Sequence, residues 1–178
     1  MNRILASITT LAQHLHAVAN DSDVYRPPAC PQCSAAGMWC HGYYHRKADR
    51  SASAGESLNP VPVLRFLCPA CQRTCSRLPA CIAPRRWYDW ALQQAVLLLL
   101  LAGCSVHQCC NCTHRARSTV RRWRDWLDAR GDSFAFFLRS RFPELGRLPE
   151  RVCLWCHVMQ SMSLAQAMAW CDRELIVP

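Results

Sequence analysis

Apolar residues recur at helical spacing at the start of the chain, where Ile4, Ile8, Leu11, Leu15 and Val18 share a stripe and Asn2, Thr9, Gln13 and His16 lie off it. A period near 3.6 predicts an amphipathic helix within residues 1–24, docked on its own domain or on a second copy as a homodimer. His14 and His16 have no cysteine nearby to share a metal and read as surface histidines. The pattern then changes. Met38 to Tyr44 carries Trp39, Tyr43 and Tyr44, and Val61 to Leu67 sets Val61, Val63 and Arg65 against Leu64 and Phe66, so both read as strands. Residues 46–60, rich in Arg, Ser, Ala, Asp and Gly, form the loop between them, Thr74 to Leu78 reads as a third strand, and Pro79 to Pro84 as a linker.

From Asp89 onward the period is helical. Asp89 is placed to cap a helix running to Ala102, whose segment Val96 to Leu101 is apolar on every side and therefore buried; Gly103 ends it. A second helix spans Val106 to Cys112, and a third starts with Ser118 as N-cap. In that third helix Val120, Trp123 and Leu127 fall on one face while Arg121, Arg122 and Arg124 fall on the other. Three helices with a short turn before a basic last one match a helix-turn-helix unit over 85–130, whose last helix enters a major groove. The candidate DNA-binding residues are Arg115, Arg117, Ser118, Thr119, Arg121, Arg122 and Arg124. Gly131 is expected to separate this unit from C-terminal helices over 131–178, one from Phe134 to Phe142 stopped by Pro143 and one from Ser163 to Leu175 with Leu164, Ala167, Met168 and Cys171 on one face.

Chemistry concentrates in the cysteines, of which there are 14 in 178 residues. Cys30 with Cys33 and Cys68 with Cys71 form two Cys-x-x-Cys pairs on either side of the predicted hairpin, and four thiolates arriving as two tight corners can surround one zinc ion tetrahedrally. A zinc ribbon is therefore expected over 25–82, and the fold class is α+β: a small ribbon followed by a mainly helical domain. Cys40, His41, Cys75 and Cys81 lie close in sequence, but two matched pairs already complete a ligand set. A dithiol oxidoreductase would carry one such pair at the start of a helix in an alternating strand and helix pattern, which this chain lacks. The cluster His107, Cys109, Cys110, Cys112 and His114 is irregularly spaced for a second metal. Cys153, Cys156 and His157 match the spacing of covalent haem attachment, a match read as accidental in a chain without a signal peptide. Four protein ligands leave no open position for chemistry, so the ribbon is read as structural and the chain as not an enzyme.

Charge points to the partner. The formal net charge is +9, from 21 Lys and Arg against 12 Asp and Glu, and nearly all the cations are Arg, whose fork matches phosphate geometry. The expected partner is double-stranded DNA. The apolar run Ala95 to Ala102 is far short of the roughly 20 residues that cross a bilayer, so no membrane partner is expected and the location is read as cytoplasmic and nucleoid-associated. The length leaves no room for a large layered enzyme beside the ribbon.

The string CPACQRTCSRLP from Cys68 to Pro79, followed by Pro84, Tyr88 and the Ser118-Thr-Val-Arg-Arg-Trp123 segment, resembles bacterial zinc-ribbon proteins associated with insertion elements. It is similar to the N-terminal DNA-binding region of transposases that join a zinc ribbon to a helix-turn-helix, over roughly residues 25–130. The resemblance implies a DNA-binding role near mobile elements, accessory or regulatory or as a remnant of a transposase, with Cys30, Cys33, Cys68 and Cys71 as ligands. It also implies a transposase or recombinase subunit as a possible partner, which an adaptor without DNA contacts would equally bind. Cys75 departs from the pattern, standing where such proteins often carry an aromatic residue or His, and the acids after residue 124 do not form the three-carboxylate site of a transposase.

Overall fold

The computed structural model describes residues 4–49, 57–84 and 88–172. It is α+β, and it forms two compact units, one built from the residues up to Asp89 with Asp172, the other from Trp90 to Cys171.

The first unit contains β1 (Ile4–Leu5), α1 (Leu11–Asn20), a 3-10 turn at Ser22–Tyr25, β2 (Trp39–Arg46), β3 (Val61–Leu67), β4 (Thr74–Cys75) and β5 (Leu78–Pro79). Strands β2, β3 and β4 form an antiparallel sheet in that order, and β1 pairs with β5 in parallel. The expected N-terminal helix is therefore shorter than its stripe. Ile4 and Leu5 are buried as a strand beside Leu78 and Pro79, and the helix starts only where Thr10 caps it. Thr10 Oγ1 accepts from the Gln13 N–H at 3.1 Å and Gln13 Oε1 accepts from the Thr10 N–H at 3.2 Å, a reciprocal capping box that holds the helix start in place.

The expected third strand is also divided. Thr74 and Cys75 stay in the sheet, while Leu78 and Pro79 turn away to β1. Residues 79–84 are not a linker: Ala80, Ile82 and Ala83 are buried, and the Ala80 N–H is within hydrogen-bond reach of both Leu5 O (3.1 Å) and Ile8 O (2.8 Å).

Strand β3 supplies the core on both its faces. Leu64 and Phe66 pack with Ile8, Tyr25, Met38 and the sulfur-bearing Cys30 and Cys68, whereas Val61 and Val63 on the opposite face pack with Leu78 and Ile82. Helix α1 lies against the sheet through His14, which is 1% exposed rather than on the surface. Its Nε2–H donates to the Pro62 carbonyl at 2.7 Å, leaving Nδ1 to accept from the Tyr25 hydroxyl at 2.5 Å. Both ring nitrogens are thus satisfied in the neutral form, and burial pushes the imidazole pKa down, partly opposed by the Pro62 carbonyl.

The second unit contains α2 (Trp90–Leu101), α3 (Val106–Thr113), α4 (Arg117–Arg141), a 3-10 turn at Pro143–Arg147, α5 (Arg151–Ser161) and α6 (Ser163–Cys171). Gly103, at φ +87°, terminates α2, and Ser105 and Gln108 form a capping box for α3. Leu164, Ala167, Met168 and Cys171 face inward as the pattern implied. The amide of Gln94 on α2 closes the junction between α5 and α6, donating to Met159 O at 2.9 Å and accepting from the Leu164 N–H at 2.7 Å.

Two expectations about α4 are corrected. Ala116 occupies the N-cap position and Ser118 lies inside the first turn without capping it. Gly131 does not break the helix, so the boundary expected at 130/131 falls within it. A Cβ at Gly131 would stand 3.3 Å from Trp155 Nε1 and 3.3 Å from Leu127 Cδ1, so the glycine permits a close approach of α4 to α5. Packing offsets the weak helix propensity of glycine there. No helix among the described residues is long and apolar enough to cross a membrane.

Candidate functional site

The two Cys-x-x-Cys corners are built alike. In the first, the Cys30 N–H donates to Ala35 O at 2.8 Å and the Ser34 N–H donates to Cys30 O at 2.9 Å; in the second, the Cys68 N–H donates to Arg73 O at 3.0 Å and the Gln72 N–H to Cys68 O at 2.9 Å. Each corner turns through a left-handed residue directly after its second cysteine, Ser34 at φ +61° and Gln72 at φ +56°. That turn folds both sulfurs of a pair to the same side, and β2 and β3 bring the two corners together.

The four sulfurs of Cys30, Cys33, Cys68 and Cys71 lie within 4.8 Å of one another, with Cys30 to Cys71 and Cys33 to Cys68 both at 3.6 Å. A disulfide needs about 2.05 Å, so these remain separate thiols. A tetrahedral site with metal–sulfur bonds of about 2.3 Å has edges of roughly 3.8 Å, so the spacing fits a metal ion such as zinc. The Gln32 N–H points at Cys30 Sγ from 3.4 Å and draws that thiol down to about 6, favouring the thiolate a metal requires. Cys30 and Cys68 are buried in the core, Cys71 is half-buried and Cys33 is exposed, so the centre sits at the edge of the unit with its inner half anchored. Cys75 packs nearby, where burial raises its thiol, but it is not one of the four. Among the described residues this is the one group of three or more His, Cys, Asp or Glu side chains arranged to hold an ion; the cysteines and histidines of 107–114 and 153–157 do not converge in that way.

In the second unit, Val120, Trp123 and Leu127 of α4 are buried, and Arg117, Ser118, Arg121, Arg122 and Arg124 are exposed on the other side of the helix. Arg115, in the turn before α4, is half-buried. Thr119 is corrected: at 7% exposure it sits on the buried side beside Val120 and does not join the basic row. Arg124 is paired with Asp125 at 2.8 Å, but both side chains are about half exposed or more, so the pair is weak and leaves the guanidinium available.

A family described as a domain of unknown function, DUF6431, matches residues 30–123, more than half of the chain. The chain belongs to the DUF6431 family. The DUF6431 match begins at the first of the four cysteines and ends at Trp123, so it takes in the whole sulfur cluster, α2, α3 and the first two turns of α4. It leaves out α1, α5 and α6. Neither a curated protein nor a solved structure matches the chain.

Beyond the DUF6431 cysteines, sequence reasoning passed over two features. One is the buried His14, Tyr25 and Pro62 bridge, which joins residues 48 apart and has no local signature. The other is the outward display of Trp39, Tyr43 and Tyr44 on β2, which are 60%, 61% and 37% exposed. A signal for the second exists in the chain: from Val24 to Ala48 and from Ser57 to Tyr88 there is no Asp or Glu.

Proposed function

We propose that this DUF6431 chain binds one zinc ion through Cys30, Cys33, Cys68 and Cys71 and duplex DNA through α4. In this reading it is an accessory or regulatory protein of a bacterial mobile element, without a catalytic centre of its own. One observation carries the DNA reading. The helix that follows the short α3 is divided lengthwise, with Val120, Trp123 and Leu127 in the core and Arg117, Arg121, Arg122 and Arg124 in solvent. A helix held by one apolar face presents its cations as a rigid row, which suits phosphates and guanine edges. The net charge of +9 and the likeness of residues 25–130 to transposase DNA-binding regions support the same reading. Four thiolates around zinc form a closed structural site, whose role is to hold two corners and a thin sheet together.

The test is competition binding to duplex DNA at rising salt. Wild-type protein is expected to bind with a steep salt dependence. Arg121→Ala with Arg122→Ala is expected to lower the slope by roughly 2, at about 0.9 per lost phosphate contact. Absence of salt-dependent binding at low ionic strength refutes the DNA reading. Metal analysis tests the centre: one zinc per chain, lost in Cys33→Ser with Cys71→Ser, is the expected result, and metal-free folded wild-type protein refutes it. An adaptor for a recombinase subunit is the second reading, favoured by Phe136, which is 76% exposed on α4. The arginine variant separates the two, since an adaptor keeps its partner when Arg121 and Arg122 are removed.

A further inference from the structure

The sheet of the first unit displays aromatic rings that burial only partly covers, Tyr43 least and Trp39 almost as little. Trp is highly buried on average, yet Trp39 is 60% exposed. That Tyr44 shares its face depends on an irregularity in β2. Trp39 pairs with Leu67 and Cys40 with Phe66, but Tyr43 pairs with Leu64 and Tyr44 with Val63, so one extra residue is inserted between Cys40 and Tyr43. Gly42, at φ +75°, supplies the left-handed backbone of this bulge. Trp39 and Tyr44 are five residues apart and would point to opposite faces of a regular strand. The bulge puts both on the face that carries Leu67, Arg65 and Val63. A bulge of this kind re-aims side chains.

Across that face, Trp39 and Tyr44 stand opposite residues four apart on β3, roughly 13 Å along the strand at 3.3 Å per residue. Arg65 lies midway between their partners and is exposed. Among the described residues its side chain meets the Thr74 hydroxyl, at 3.3 Å, and no carboxylate. The neighbouring Arg73 bonds Gln32 Oε1 at 3.0 Å, between the two corners, where its charge would offset the negative surplus of four thiolates holding a divalent ion. Arg65 is not engaged in that way. The surface therefore combines one open ring, Trp39, and a second, Tyr44, 37% exposed at the margin where Leu78 and Ile82 cover Val63, with a cation between them, in a stretch of chain devoid of acids.

We propose that this face of β2 and β3 binds single-stranded DNA, with unpaired bases stacked on Trp39 and Tyr44 and the backbone phosphate between them held by Arg65. Rings accept any base face, and cations alongside track the backbone. Duplex bases are stacked on one another and offer no free face, so the surface selects unpaired strand. The choice of DNA over RNA rests on the reading of α4 above; the stacking surface itself does not.

The test uses the full zinc-loaded chain and labelled oligothymidine, with a duplex of equal length and oligouridine as comparisons, read by fluorescence anisotropy. Wild-type protein is expected to bind oligothymidine at low salt. Trp39→Ala and Tyr44→Ala are each expected to weaken it on the order of tenfold, Trp39→Phe to retain most of the affinity, and none of the three to change duplex binding. Arg65→Gln is expected to lower the salt slope by about 0.7. Trp39 and Arg65 are on the surface and Tyr44 is partly covered, so zinc content and circular dichroism verify that each variant keeps the fold. Equal oligothymidine affinity in wild type, Trp39→Ala and Tyr44→Ala overturns the proposal, as does a wild type that fails to bind. Tighter binding of oligouridine overturns the assignment to DNA. If Arg121→Ala with Arg122→Ala loses the duplex and keeps oligothymidine, both surfaces stand; if wild type binds no duplex but binds oligothymidine through Trp39, the α4 reading falls and this one remains.

Discussion

Replacing Tyr25 by Phe removes one oxygen atom from the interior of the first unit and leaves everything else the same size. The Tyr25 hydroxyl is the donor to His14 Nδ1, and Tyr25 and His14 are 0% and 1% exposed, so water does not take its place. An orphaned buried acceptor costs about 1–3 kcal/mol. In a unit of roughly 90 residues, each kcal/mol lowers the melting midpoint by about 4–8 °C. His14→Leu is expected to cost more, because it strands two groups, the Tyr25 hydroxyl and the Pro62 carbonyl, and leaves a poorly filled site. The double variant is expected to lose less than the sum of the two, since it removes donor and acceptor together. The assay is urea denaturation with zinc held in excess, followed by near-ultraviolet circular dichroism. A Tyr25→Phe protein within about 0.3 kcal/mol of wild type, smaller than the cost of any buried orphan, refutes the reasoning.

The same bridge sets a pH dependence. Burial holds the folded-state pKa of His14 below its value of about 6.5 in an unfolded chain, so the unfolded chain takes up the proton first as pH falls. The stabilising contribution is complete above about 6.5 and is lost as pH drops toward the folded value; the midpoint difference between wild type and His14→Gln should shrink between pH 7 and 5, a comparison that cancels acid effects on the cysteines common to both proteins. Ser34 occupies a left-handed conformation at φ +61° with its side chain in solvent, so Ser34→Gly is expected to raise stability by up to about 1 kcal/mol in thermal melts, and a loss would show that the side chain is needed at that corner. Trp123→Ala empties a site only 1% exposed in the second unit and is expected to cost about 3–5 kcal/mol by denaturation, lowering duplex affinity through loss of the folded helix rather than through the salt slope. Gly131→Leu places a large side chain where even a Cβ would meet Trp155 Nε1 at 3.3 Å, and is expected to destabilise α4 against α5 by about 1–3 kcal/mol, whereas a neutral result would mean the two helices separate freely.

What the chain alone determined is what covalent spacing and local period control. Two residues between paired cysteines force a tight corner, so Cys30, Cys33, Cys68 and Cys71 were legible as one set, and the structure brings their sulfurs together. Strand β3 has the predicted bounds, Val61 to Leu67, and the inward Val120, Trp123 and Leu127 follow from helical geometry alone. Tertiary structure decided whatever depends on a partner distant along the chain. Ile4 and Leu5 became a strand because Leu78 and Pro79 were there to pair with them, and His14 went inside because Tyr25 and Pro62 could satisfy both its nitrogens. Gly131 stayed helical because Trp155 lies where a side chain would have been. The shared face of Trp39 and Tyr44 arose in the same way: one inserted residue in β2, defined only by its pairing with β3, reverses the side on which every later side chain falls.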